Sequence, residues 1–308
     1  MATTILPLVR RKTTRRTKSG DEAEAARPAG RGRIRRRALP TLVCLAVVSV
    51  LGWSAVHRPR DVPASSWLHE VDLALDPKSY QATLVDLPPP SSEAAAAPLG
   101  RPAPLATESD RFAFMLVHPE SSAPVAYDPC RPIHVVVNNR AVPSGAAALV
   151  TQAFDAVQVA TGLQFLIDGE TDEAPSSERP PYQPDRYPAR WAPVLLSWSD
   201  PVESPSLAGR VAGNGGSTSL SFGEDRVYVT GSVTLDGPQI RKMLDERGGH
   251  AKARAVLQHE LAHLVGLEHV QDRTQLMNPV GVSSQLSFGA GDLTGLARLG
   301  QGRCFPTL

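Results

Sequence analysis

Apolar residues alternate with polar ones in several short runs of this chain and recur every three or four positions in others. The two periods divide it into strands and helices. Ile133, Val135 and Val137 fall on one face of a strand from Pro132 to Asn138. Phe112 to Val117, Leu163 to Ile167, Val194 to Trp198 and Arg226 to Leu235 read as further strands, separated by Gly- and Pro-rich connections. Ala146, Leu149, Val150, Ala153, Phe154 and Val157 make an apolar stripe at helical spacing. A helix from Pro238 to Arg247 stops at Gly248 and Gly249, another starts after them, and a last one lies near Asp292 to Leu299. This order predicts an α+β domain, residues 108–308, with a twisted sheet of about five strands.

Before residue 108 the pattern changes. Residues 1–38 hold twelve lysines and arginines against Asp21, Glu22 and Glu24, so the net charge of +1 hides a basic tail. No aromatic residue interleaves with those charges, which argues against a nucleic-acid partner. Residues 39–56 are uncharged and mostly Leu, Val and Ala, the length and composition of a transmembrane signal-anchor whose preceding positive charge keeps the amino terminus inside. Cleavage as a signal peptide, giving a secreted protein, is the alternative. Residues 57–107 read as a stalk rich in proline and alanine, including Pro88, Pro89 and Pro90.

The chemistry concentrates in HELAHLVGLEH, from His259 to His269. Val256, Leu257, Leu261, Leu264 and Val265 give its first part helical character, so His259 and His263 lie one turn apart on a common face. Gly266 can take the left-handed conformation that ends a helix and turn the chain back toward a third ligand, His269. Three imidazoles with an open fourth position suit a catalytic zinc, and Glu260, next to the first ligand, is placed to act as general base. Met277 follows in the run LMNP.

These residues resemble the metzincin metallopeptidases, whose motif H-E-x-x-H-x-x-G-x-x-H precedes a methionine-containing turn. His259, Glu260, His263, Gly266 and His269 match it in full. The spacing to Met277 and Pro279 looks most like the matrixin (matrix metalloproteinase-like) branch, whereas Val270 stands where matrixins usually carry serine. The resemblance implies a metzincin-like zinc-protease fold with an active-site helix and a C-terminal helix, behind the single transmembrane helix. It implies an extracellular-facing endopeptidase anchored in the cell membrane, with protein or peptide substrates and Zn2+ as cofactor. It also places a substrate-binding edge strand at Leu207, Ala208, Gly209, Arg210 and Val211, running to Gly213, with a glycine-rich loop at Asn214, Gly215 and Gly216. Asn278, Pro279 and Val280 then line the pocket below the cleft. A membrane-tethered module that keeps the zinc without catalysis is the competing reading. It is weakened by Glu260, which a purely structural site has no use for.

Cys130 and Cys304 bracket the domain and, in an oxidising exterior, are expected to pair. The alternative makes Cys130, in DPCRP, a thiolate that blocks the zinc as in latent matrixins. Asp168, Glu170, Asp172 and Glu173 form an acidic stretch without the spacing of a known calcium loop; a solvated loop is expected, with structural Ca2+ as the alternative.

Overall fold

The computed structural model describes residues 87–279 and 285–308. The basic tail, the apolar segment 39–56, the first part of the stalk and Val280 lie outside them, and among the described residues no helix is long and apolar enough to cross a membrane.

The elements run β1 (Ala113–Phe114), β2 (Ala126–Tyr127), β3 (Ile133–Asn138), α1 (Ala147–Thr161), β4 (Phe165–Glu170), β5 (Val194–Ser199), a 3-10 turn (Pro205–Leu207), β6 (Gly213–Phe222), β7 (Asp225–Asp236), α2 (Gly237–Leu244), α3 (Gly249–Val265), β8 (Leu267–Glu268) and α4 (Ala290–Leu299). The main sheet has the order β4, β3, β5, β7, β6, with the short β2 alongside the first part of β7. All its pairings are parallel except β6 with β7. The architecture is therefore a mixed α/β arrangement with a mostly parallel sheet and one antiparallel edge.

Two expectations are corrected here. Phe112 to Val117 does not join the main sheet: only Ala113–Phe114 is strand, and it pairs with Leu267–Glu268 just after α3. Residues 207–212 lie outside the edge strand, and 214–216 are not a loop. Leu207 closes the 3-10 turn and is buried, Ala208, Gly209 and Arg210 are exposed, and the edge strand begins at Gly213 and includes Asn214, Gly215 and Gly216.

α1 buries Leu149, Ala153, Phe154 and Val157, the stripe its sequence displays, and ends at Gly162 with φ of 77°. α3 is different. From Ala255 to Val265 only His259 is not fully buried, because α1 covers one side and β6 another. Gly248 opens it and Gly266, at φ 116°, closes it by donating its N–H to the Ala262 and His263 carbonyls.

Residues 91–103 lie along the domain rather than apart from it. Ser91 donates to the Leu308 carbonyl, Ala95 to Cys130, Leu99 to Pro129 and Ala103 to Val159, at 2.7–3.1 Å. Gly100 and Gly162 have no room for a side chain, because each abuts the backbone of the other segment: Gly100 meets the Gly162 carbonyl and Gly162 meets Arg101. A disulfide joins Cys130 to Cys304, with Cα atoms 5.4 Å apart. Arg131 reinforces it, donating to Asp128 and to the carbonyls of Leu308 and Phe305.

Candidate metal centre

The turn at Gly266 brings the chain back so that His269 faces the two histidines of α3. The Nε2 atoms of His259, His263 and His269 lie 3.1 Å from one another, a closed triangle. Main-chain carbonyls fix the tautomer of two of the rings: His259 Nδ1 donates to Leu276 O at 2.8 Å and His263 Nδ1 to Leu267 O at 2.7 Å. The Nε2 atoms of both therefore carry lone pairs into the triangle. Acceptors packed this closely repel unless a cation lies among them. The spacing suits zinc, since a tetrahedral ion with bonds of about 2.0–2.1 Å sets its ligands about 3.3 Å apart.

Burial holds all three rings neutral. It pushes His259 down to about 4, with His269 adding to the effect; it drives His263 well below its ordinary value with help from both neighbours; and it lowers His269. A neutral imidazole is the form that binds metal.

Glu260 lies outside the group of atoms that could close on one ion. It points to β6, where the Gly215 N–H donates to its carboxylate. Burial nevertheless raises its pKa to about 8. The three imidazole nitrogens thus form a candidate cation site, and the buried carboxyl of Glu260 is on the residue next to the first of them.

Met277 is buried, with its carbonyl accepting from Val270 N at 3.0 Å. Asn278 donates its amide to Val270 O, and Pro279 is exposed. Val211, outside the edge strand, offers its carbonyl to Gln239. Cys130 is fully buried in its disulfide, which leaves no thiolate to block the centre.

A supporting residue is Asp292, at the start of α4 and fully buried. Its carboxylate accepts from Leu276 N at 2.5 Å and Gly289 N at 2.8 Å, with a longer contact to Met277 N. Gln275 Oε1 in turn accepts from Gly291 N and Asp292 N. These bonds set the turn whose Leu276 carbonyl orients His259. The sequence shows Asp292 only as an acid in the first turn of a helix, and no spacing links it to the histidines.

The acidic stretch does not form a calcium site. Asp168 binds His134 and Arg190, Glu170 binds Asn139, Asp172 binds Arg186, and Glu173 takes Arg179, Gln183 and Tyr187. Each carboxylate is engaged by a different neighbour, so the four do not converge on one point. A groove of about 420 Å³ is lined from β6 by Asn214, Gly215, Gly216, Ser217 and Thr218. Its charged side chains are paired, Arg179 with Glu173 and Glu203 with Arg140, and it contains no histidine.

The fold and site define a mixed α/β domain with a candidate three-histidine metal centre on a buried helix. No protein-family model matches the chain, and no curated protein matches it. Among solved structures it is similar to the GM1-bound form of the ECX AB5 holotoxin, with 10% identity, 56% of this chain and 81% of that chain covered, and a TM-score of 0.34. It is also similar to archaemetzincin from Methanopyrus kandleri, with 17% identity, 54% and 93% covered, and a TM-score of 0.32. Similarity at this level transfers no residue's role.

Proposed function

We propose that this chain is a zinc-dependent endopeptidase of metzincin type, closest in its motif to the matrixins. The observation that carries the reading is the triangle of Nε2 atoms at 3.1 Å with the buried carboxylate of Glu260 one residue from its first member. His259, His263 and His269 would hold the ion. Bound there, zinc supplies Lewis acidity for the scissile carbonyl and for a water molecule.

The remaining chemistry belongs to Glu260. Burial raises Glu260 to about 8 in the metal-free protein, and a cation held by the three histidines would favour its ionised form, the one able to take the proton of the attacking water. Glu260 then returns that proton to the departing amine nitrogen, so hydrolysis consumes one water and leaves an acid and an amine.

Substrate is proposed to pair with the outer edge of β6, which among the described residues pairs with β7 alone. Anchoring through residues 39–56, with the domain outside the cell, belongs to the same proposal and rests on the apolar segment and the basic tail before it.

The test is a pair of variants assayed against a mixed peptide library, with and without chelator. His263→Ala is expected to lose most of its zinc. Glu260→Gln is expected to keep the metal and lose roughly a hundred- to ten-thousand-fold in rate. A zinc-loaded wild-type protein that cleaves nothing would leave only a binding module.

A further inference from the structure

β6 is an odd strand in composition, opening Gly213-Asn214-Gly215-Gly216 where strands ordinarily carry branched or aromatic side chains. Gly213 and Gly215 are not among the residues with positive φ, so their backbone conformation does not call for glycine. What calls for it is α3. A Cβ on Gly213 would stand 2.7 Å from Glu260 Cγ and 3.1 Å from its Cδ. A Cβ on Gly215 would stand 2.0 Å from the Glu260 carbonyl oxygen. Two residues on, Ser217 Oγ donates to Leu264 O at 2.6 Å. The strand's period of two thus runs in step with one helical turn, residues 213 and 215 against Glu260 and residue 217 against Leu264.

We infer that Gly213 and Gly215 are positioning residues for Glu260: they seat its side chain against the bare backbone of β6 and fix the direction in which its carboxylate points. The inference rests on the peptidase reading given above. Gly213 forms the wall on which Cγ and Cδ lie, and Gly215 contributes the N–H that holds the carboxylate. A base that must reach one proton of one water tolerates little displacement, since a shift of about 1 Å costs about a hundredfold in rate. Helix packing accounts for the lack of a side chain at Gly215, whose Cβ would meet only backbone atoms of Glu260, but not at Gly213, which is crowded chiefly by the glutamate's own side chain and otherwise by Leu235 Cδ2 at 3.1 Å.

The experiment is Gly213→Ala in the full chain, loaded with zinc and assayed for metal content, thermal unfolding, and kcat and KM on one peptide substrate. The expected result is unchanged zinc and KM with kcat down about ten- to a hundredfold. Unchanged kcat, or a rise in KM alone, overturns the inference. A second readout needs no catalysis: Gly213→Ala is expected to lower the unfolding temperature when Glu260 is present and to have little effect in the Glu260→Ala background, where Cγ and Cδ are gone. An equal shift in both backgrounds overturns it. Should Gly213→Ala fail to fold, recovery of a folded protein in the double variant supports the inference, and failure of both overturns it. If the zinc-loaded wild type cleaves nothing, the peptidase reading fails, whereas the unfolding cycle still reports whether Gly213 and Glu260 are in contact.

Discussion

At the scale of single residues, the centre depends on groups that never touch it. His259 is aimed by the Leu276 carbonyl, and Leu276 is itself held by Asp292, so a carboxylate two hydrogen bonds away sets the direction of a ligand nitrogen. Loss of outer partners typically weakens metal binding about 10- to 100-fold. Asp292→Ala is therefore expected to weaken zinc affinity about tenfold in a chelator competition while leaving all three histidines in place. Affinity equal to wild type would mean that the turn is held by its remaining contacts. Glu173 illustrates the opposite balance: burial pushes its pKa up, but Arg179, Gln183 and Tyr187 together leave it below its ordinary value of 4.5. A carboxylate depressed in the folded state contributes stability that is present above 4.5 and lost as pH falls through the folded value. Glu173→Gln is expected to lose about 3 kcal/mol at pH 7, the cost of leaving Arg179 without its partner. That deficit should shrink in acid, where wild type is protonated too. Urea unfolding at pH 7 and pH 3 checks both the size and the sign.

At the scale of elements, β6 is held to α3 by hydroxyls as well as by close approach. Ser217 donates to Leu264 O, and Tyr127 OH lies 2.6 Å from the same Ser217 oxygen, buried. Ser217→Ala leaves Tyr127 and Leu264 without that partner and is expected to destabilise by about 2 kcal/mol, read from the shift in urea midpoint. The same strand shows where the sequence stops being legible. α1 and the later helices announce themselves because each presents an apolar stripe or a glycine stop, and β3, β5 and β7 because they carry Val, Leu and Ile in runs of strand length. Gly213 to Gly216 carries no such signal. Its extended conformation is imposed by pairing with β7 and by the absence of space against α3, so tertiary contact overrides a composition that locally favours a loop. Phe112 to Val117 errs the other way, with apolar residues of strand type of which only Ala113–Phe114 forms a strand, Val117 adding a lone bridge to Pro124. At the centre itself, spacing alone puts His259, His263 and the turn at Gly266 together, because all lie within one helix and its cap. Asp292 and the glycines of β6 come from elsewhere in the chain, and nothing local to them reveals which groups they meet.

At the scale of the whole molecule, one covalent bond joins segments far apart in the chain, since Cys130 and Cys304 are 174 residues apart. Closing a loop that long in the unfolded chain removes more entropy than closing a short one, and a bridge of this kind stabilises by about 2–4 kcal/mol. Reduction, or Cys304→Ser, is expected to lower the unfolding temperature by several degrees without stripping zinc, because no ligand lies outside the loop. Loss of metal on reduction would show that the bridge also shapes the centre.

The bridge also decides what happens when the domain is pulled. Tension applied between residue 87 and Leu308 first meets the bonds of residues 91–103, which can open one after another. Before it reaches Cys130 and crosses to Cys304 it loads β1 and Met115, which are bonded to Leu267–Glu268 and to the Gly266 carbonyl, between the second and third histidines. The main sheet from β3 onward, α3 and all three histidines hang in the loop between those sulfurs. A tug that peels away residues 91–103 alone would leave the metal centre mechanically unloaded, and β1 is the link through which a stronger one would reach it.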